Sequence, residues 1–168
     1  MKIPALLLGL ILPATPLSAA ERGLTLVGED GKASALSAAE LSALPHVGAS
    51  VSHDGKTLSF RGVLLPEVLK RVKAPSGKDL RGPALSDVVI VTASDGYTVA
   101  LTLSDLEPSI RPTKVILADQ DREGVRLGAN DGPFRLVVDG DLKPARSARN
   151  VVRIELRRLG AVSPSKPH

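Results

Sequence analysis

Five Asp-Gly pairs divide the sequence into short segments and constrain its fold more than any other feature. Asp-Gly readily adopts the positive φ angles that tight hairpin turns require. The pairs are Asp30-Gly31, Asp54-Gly55, Asp95-Gly96, Asp131-Gly132 and Asp139-Gly140. Segments rich in Val, Ile and Leu lie between them, as expected for β-strands. The chain is therefore predicted to be rich in strands joined by tight turns.

Four apolar runs are the predicted core strands. They are residues 87–93 (DVVIVTA), 114–118 (KVILA), 134–138 (FRLVV) and 150–156 (NVVRIEL). The first of these is continuously apolar over residues 88–91. This pattern is typical of a strand that is covered on both faces, and we expect it to lie inside the sheet structure.

Three short helices are predicted beside the strands. In SAAELSAL, Ser37 stands three residues before Glu40, which is the spacing of a capping box. In LLPEVLKRV, four apolar residues share one helical face and Pro66 suits the first turn. Those four are Leu65, Val68, Leu69 and Val72. A one-turn helix is expected at LSDLEP, ended by Pro108. Helices and strands together predict a single domain of mixed α+β class.

The N-terminus has the order of a secretory signal peptide. Lys2 precedes an apolar run over residues 5–12, and small residues follow up to Ala20. We expect cleavage after Ala20, and the run is shorter than the roughly 20 apolar residues that span a bilayer. The interpretation is a periplasmic or secreted domain over residues 21–159, with no stable membrane anchor after cleavage and a flexible tail over residues 160–168.

Composition argues against a nucleic-acid partner. The net charge is only +4 over 168 residues, and the basic residues are spread along the chain. Phe60, Tyr97 and Phe134 are the only aromatic residues, which leaves little surface for stacking on bases. The chain also has no cysteine, so an exported form must be stabilised by packing rather than by disulfides.

The order of the segments is similar to that of a known family. ELSALP is followed by a predicted hairpin, FRGVLLPEVLKRV, SDGYTVALTLSDL, VILADQDREGVRL, DGPFRLVVDGD and RNVVRIEL. Over residues 36–156 this series resembles the molybdopterin-binding domain of the sulfite oxidase family, in particular its small exported single-domain members. The resemblance implies a mixed α+β, β-rich fold with a compact, twisted core and short flanking helices.

The departures from that family concern the metal. In its enzymes a cysteine after the LP element gives its sulfur to molybdenum, whereas this region reads HVGASVSHDG. The nearest residues are Ser50, Ser52 and His53, and a serine hydroxyl cannot replace the soft thiolate bond. The Lys-Trp pair that the family carries near its last strand is replaced by Ala148-Arg149. The departures favour an exported non-catalytic module that binds a small ligand or an envelope protein, with no cofactor expected.

Two alternatives stay open beside this interpretation. One is a molybdopterin-dependent oxidoreductase in which Ser52 or solvent completes the metal shell, since the resemblance still allows the cofactor. The other is an accessory or sensor subunit with a vestigial pocket. A residual pocket is expected where ASVSHDG approaches the SDGY turn and the arginines after DGPF. The residues predicted to bind a ligand there are Ser52, His53, Tyr97 and Arg146, and none is assigned a catalytic role.

Two patterns that can indicate a metal site are weak here. His46 and His53 are seven residues apart, which places them on opposite faces of a regular strand. DQDREG resembles the start of a calcium loop, but its twelfth position is Asn130 instead of glutamate. A β-turn with a return strand is the better interpretation. Several arginines, Arg135 among them, are interpreted as surface residues or as contributors to an anion site.

Overall fold

Two β-sheets form the frame of the structure. The computed structural model describes residues 23–159. One sheet has five strands in the order β2-β1-β9-β5-β6, and the other has four in the order β3-β4-β7-β8. The strands are β1 (Leu24–Val27), β2 (Ala33–Leu36), β3 (Val47–His53), β4 (Lys56–Leu64), β5 (Val88–Ala93), β6 (Thr98–Thr102), β7 (Val115–Asp121), β8 (Arg135–Val138) and β9 (Val151–Arg157). With its short helices, the chain has the mixed α+β architecture that the sequence predicts.

The predicted signal peptide and the predicted tail lie outside the described residues. Within residues 23–159, no helix is both long enough and apolar enough to cross a bilayer.

Capping boxes begin two of the three α-helices within residues 23–159. The helices are α1 (Ala38–Ser42), α2 (Leu65–Leu69) and α3 (Leu103–Leu106), and short 3-10 turns cover Lys70–Val72, Gly77–Asp79, Gly82–Ser86 and Pro144–Arg146. At α1 the Ser37 hydroxyl accepts from the Glu40 amide, and the Glu40 carboxylate accepts from the Ser37 amide, which confirms the predicted box. Thr102 and Asp105 form the same reciprocal pair at α3. Both boxes satisfy amides that a helix start leaves unpaired.

The predicted helix at LLPEVLKRV is shorter than its periodicity suggested. Its α-helical part ends at Leu69, and a 3-10 turn follows to Val72 before Lys73 adopts a left-handed φ of 56°. Pro66 stands in the first turn as predicted. Leu65, Val68 and Leu69 are buried, whereas Val72 is only half-buried against the core.

The Asp-Gly pairs divide into hairpin turns and other connections. Gly31, Gly55 and Gly96 have positive φ in the turns between β1 and β2, β3 and β4, and β5 and β6, as predicted. Gly140 also has positive φ, but it leads from β8 into a segment that hydrogen-bonds to β3, the strand at the opposite edge of the smaller sheet. The prediction is wrong for Gly132, which is buried in front of β8 and precedes a cis peptide bond to proline.

The burial of β5 corrects a second prediction. Residues along β5 alternate between buried and half-buried, so its outward face is only partly covered, despite the continuous apolar run. The strands covered on both faces are β7, whose first five residues are all buried, and β8, whose four residues are all buried. The main core joins both sheets, with Leu26, Val91 and Ile154 from the larger sheet and Leu117 and Leu136 from the smaller one.

The smaller sheet curls until its first strand meets the chain that follows its last strand. The Gly140 amide donates to the Ser50 carbonyl at 2.9 Å, and the Ser52 amide donates to the Asp141 carbonyl at 2.9 Å. The Asp139 carboxylate accepts from the Ser50 amide at 2.8 Å. The curl encloses a second apolar cluster, made of Ala49, Val51, Phe60, Ile116, Ala118 and Val137.

Candidate anion-binding site

Arg135 is a charged side chain inside the curled sheet. It begins β8 and pairs with Ala118 of β7, so strand alternation places it on the same face as Val137, in the second apolar cluster. Only 2% of its side chain is exposed. Its guanidinium carbon lies 4.5 Å from the centroid of the Phe60 ring, a cation-π contact. A permanent positive charge is therefore held in an apolar enclosure.

The hydrogen bonds of Arg135 are incomplete. Its Nη1 donates to Asp131 Oδ1 at 2.5 Å, and this carboxylate also lies 3.4 Å from Arg149 Nε. Nε and Nη2 of Arg135 are buried and have no partner. Burial lowers the pKa of Arg135, and the charge of Asp131 partly offsets that effect. A buried donor without a partner costs about 1–3 kcal/mol, so this arrangement needs an explanation.

The two free nitrogens form one side of the guanidinium fork. Arg146 uses the same Nε and Nη2 pair to donate to both carboxylate oxygens of Asp141, at 3.0 and 2.6 Å. Arg153 directs the same two nitrogens at Glu155 Oε2, at 3.1 and 3.0 Å. Because the fork has parallel N–H bonds, it suits a group with two oxygen atoms. Arg135 has this fork without an acceptor.

A cavity of about 470 Å³, open to solvent, lies beside Arg135. Its lining includes Leu58, Phe60, Arg122, Asn130, Asp131 and Arg149. Half of the Arg149 side chain and three quarters of the Arg122 side chain are exposed, and Arg122 pairs with Glu123 at 3.1 Å. The cavity therefore combines a buried cation, an apolar wall and exposed cations at its rim.

The structure brings three of the four predicted ligand-binding residues to one segment, residues 141–146. The Ser52 amide donates a hydrogen bond to the Asp141 carbonyl, and Arg146 forms its bidentate pair with the carboxylate of the same residue. The Tyr97 hydroxyl donates to the Ala145 carbonyl at 2.5 Å. None of the three lines the Arg135 cavity. The Asp141 carboxylate occupies the Arg146 fork and raises the pKa of that arginine.

His53, the fourth predicted residue, lies at the end of β3. Its side chain is 45% exposed, and its Nε2 is 3.6 Å from the Asp54 carboxylate. His46 lies elsewhere, nearly buried, with Nε2 2.8 Å from Asp119 Oδ1 and Nδ1 2.7 Å from the Leu44 carbonyl. The two histidines share no site.

The DQDREG segment forms a turn and a short return. The Gly124 amide donates to the Asp121 carbonyl, and Gln120 forms an isolated antiparallel β-bridge with Arg126, as the turn interpretation predicts. Asp119 is buried and bound to His46 and Ser42. Within residues 23–159, no three or more His, Cys, Asp or Glu side chains are grouped so that they could hold a metal ion.

The residues near the expected metal position do not fit a molybdenum ligand set. Ser50 directs its amide and its hydroxyl at Asp139. Ser52 and His53 are consecutive in β3, so their side chains point to opposite faces and do not converge. No thiolate exists in the chain to supply the soft bond. The donors present therefore do not match the metal part of a molybdopterin cofactor.

Sequence reasoning missed the buried position of Arg135. The signal was present, because Arg135 interrupts the otherwise continuous apolar run FRLVV, and a continuous apolar run is typical of a strand that is covered on both faces. Which neighbour covers it depends on the curl of the sheet, which no local pattern specifies.

One solved structure similar to this chain is the sulfane dehydrogenase SoxCD from Paracoccus pantotrophus. The match has a TM-score of 0.63 and 16% sequence identity, and it covers 89% of this chain and 41% of the other. The likeness shows a shared fold, and the present chain spans less than half the length of that neighbour. No protein-family model and no curated protein sequence matches the chain.

Proposed function

We propose that this protein is a non-catalytic module that binds a small anionic ligand on a fold of the sulfite oxidase molybdopterin-binding type. One observation carries the proposal: the Nε and Nη2 fork of Arg135 is buried, lacks an acceptor and belongs to a side chain that lines a cavity. An anion with two oxygen atoms would complete this fork. Arg135 and Arg149 share the single negative charge of Asp131, and the bound anion would supply the second negative charge that the two arginines lack.

The energetics favour a bound anion over an empty fork. Taking a cation out of water costs several kcal/mol unless it is paired and hydrogen-bonded. Asp131 satisfies only one nitrogen of Arg135, and its other partner is the π face of Phe60. Charge-assisted hydrogen bonds at a buried site are roughly twice as strong as neutral ones. The affinity of the module would come mainly from this contact.

Entry to the fork requires movement of the lining side chains, since both free nitrogens are closed off from solvent. Asn130 and Arg149 are exposed. Exposed side chains change rotamer on a picosecond to nanosecond timescale, so they can open the route without changing the sheet.

The non-catalytic part of the proposal rests on the donor chemistry. The family's chemistry depends on a metal held by a thiolate, and Ser50, Ser52 and His53 offer no convergent equivalent. We therefore assign no catalytic residue and no cofactor to this chain. The predicted residues Ser52, Tyr97 and Arg146 are proposed to form a secondary surface around residues 141–146, where a ligand or an envelope partner can contact them.

An oxidoreductase remains the second candidate, because the similar solved structure is that of a dehydrogenase. The two functions differ in metal content. Protein purified from its native export route would contain stoichiometric molybdenum and a fluorescent pterin if it were such an enzyme, and neither if it is the binding module. Elemental analysis with pterin fluorescence distinguishes them.

The binding function is tested by thermal unfolding in sodium acetate, benzoate, sulfate and phosphate, with sodium chloride at equal ionic strength as reference. A ligand at about 100 times its Kd stabilises the folded state by about 2.7 kcal/mol, which gives a measurable rise in Tm. At least one anion should raise the Tm of the wild-type protein above the chloride reference. No rise with any of them would overturn the proposal.

Two variants locate the effect. Arg135→Lys keeps the charge but removes the fork, so the anion-dependent rise should be lost relative to that variant's own baseline. Arg153→Lys is the matched control, because it removes a fork that contacts Glu155 outside the cavity, and it should keep the rise. If Arg135→Lys does not fold, Arg149→Gln at the exposed rim should weaken binding without unfolding the core.

A further inference from the structure

We infer that the ligand of the Arg135 fork is a small organic monocarboxylate, and that Asp131 is the residue that sets this preference. The inference rests on the proposed function and names the class of anion that it would bind. Three features of the cavity support it, namely its fixed charge, the shape of the free fork and the apolar wall beside it.

The fixed charge near the fork favours one negative charge on the ligand. Arg135 and Arg149 are positive and share the carboxylate of Asp131, at 2.5 and 3.4 Å from the two arginine nitrogens. Arg122 at the rim is already paired with Glu123. The cluster of Arg135, Arg149 and Asp131 therefore carries one net positive charge. A monoanion neutralises it, whereas a dianion such as sulfate would leave an uncompensated charge next to the buried Arg135 guanidinium.

The shape of the fork favours a planar group. Asp131 occupies Nη1, so Arg135 has two parallel donors left, Nε and Nη2. A carboxylate has two oxygens in one plane and satisfies both donors without leaving further oxygens unpaired. The protein already uses this side of a guanidinium toward a carboxylate at the Arg146 pair with Asp141.

The wall of the cavity favours an organic ligand over an inorganic one. Phe60 lies against the guanidinium at 4.5 Å, and Leu58 of the same strand also lines the cavity. Both belong to the second apolar cluster or pack against it. A carboxylate held by the fork would place its carbon substituent near these side chains, where burial of apolar surface adds affinity. Benzoate should therefore bind more tightly than acetate.

The test is calorimetric titration of the full chain with benzoate, acetate and sulfate at equal ionic strength. We expect the Kd for benzoate to be at least about 10-fold lower than the Kd for sulfate, a difference of one decade in the binding constant. Equal or tighter binding of sulfate would overturn the inference and leave the proposed function standing. Binding of none of the three, together with no rise in Tm in phosphate, would overturn the proposed function itself, and the inference with it.

Asp131→Asn tests the assigned residue. It removes one negative charge, so the cluster gains a second net positive charge and the preference for benzoate over sulfate should fall about 10-fold or reverse. Asp131→Glu keeps the charge and should keep the preference. Glu155→Gln is the matched control, because Glu155 is also shared by two arginines but lies outside the cavity. An unchanged preference for benzoate in Asp131→Asn would overturn the role of Asp131. If Asp131→Asn does not fold, Asp131→Glu decides, and loss of the preference in that charge-conserving variant would overturn the role.

Discussion

Arg135 and Phe60 contact each other across a strand that separates them in the sheet. They belong to β8 and β4, and β7 lies between these strands in the order of the smaller sheet. The 4.5 Å contact between the guanidinium carbon and the ring centroid exists because the sheet curls and turns both side chains inward. One contact thus couples the closure of the sheet to the position of the proposed binding group.

Phe60→Ala is expected to destabilise the protein by about 3–5 kcal/mol, the usual range for removing a buried phenylalanine. Phe60 is buried, and the variant loses both its packing in the second apolar cluster and the cation-π contact with Arg135. The free energy of unfolding from denaturant titration measures the loss. Leu142→Ala is the control, since Leu142 is 86% exposed and should change stability by less than about 0.5 kcal/mol. Similar losses in both variants would contradict the curled arrangement.

Gly62→Ala should destabilise the fold by about 1–3 kcal/mol, the cost of overpacking. A Cβ at Gly62 would overlap the backbone of Leu117 and Ala118, which cannot move without disturbing β7. Gly48 lies on the neighbouring strand, and a Cβ there would meet no atom closer than 4.0 Å. Gly48→Ala is therefore the matched variant and should be close to neutral. If chemical denaturation finds the two variants equally stable, the close approach of β4 and β7 is wrong.

Several elements could be predicted because their signals are local. The capping box of α1 needs only Ser37 and Glu40 at the right spacing, and the three hairpins need only an Asp-Gly pair between two apolar runs. Pro66 in the first turn of α2 is another local signal. Each depends on residues that are close in the chain, so the sequence alone specifies them.

The remaining features depend on which surfaces meet in three dimensions. The apolar runs of β5 and β7 look alike in the sequence, but β5 has one outward face and β7 is covered on both. Gly132 looked like a turn residue because nothing in the chain indicates the contact with Leu127 that buries it. The same applies to Arg135, whose burial follows from the register with Ala118 and from the curl of the sheet. The proposed site was therefore beyond local reasoning.

The capping box at α1 should make stability depend on pH in acid. Hydrogen bonds from Ser37, with support from Arg71, lower the pKa of Glu40 from its usual 4.5 to about 2. A lowered carboxyl pKa contributes stability above the unfolded value, and that contribution is lost as pH falls from 4.5 to about 2. Glu40→Gln should therefore show a shallower loss of unfolding free energy over this window than the wild-type protein. Parallel curves for the two proteins would contradict the lowered pKa.

The export prediction is tested at the N-terminus. Because the first residues have the order of a signal peptide, protein recovered from the cell envelope should begin at or near Glu21. N-terminal sequencing or intact-mass spectrometry of that protein measures the start. An envelope form that still begins with Met1 would contradict cleavage.

Ser52→Cys should not convert the protein into a molybdenum enzyme. The substitution places a thiol on β3, where the amide of residue 52 donates a hydrogen bond to the Asp141 carbonyl. One thiolate alone does not make the site, because the neighbouring His53 points to the opposite face and Ser50 is bound to Asp139. We expect neither stoichiometric molybdenum by elemental analysis nor sulfite oxidation above a metal-free control, in the variant or in the wild-type protein. Activity in the variant that depends on added molybdopterin would show that the frame retains a functional cofactor site, and would favour an enzyme over the binding module.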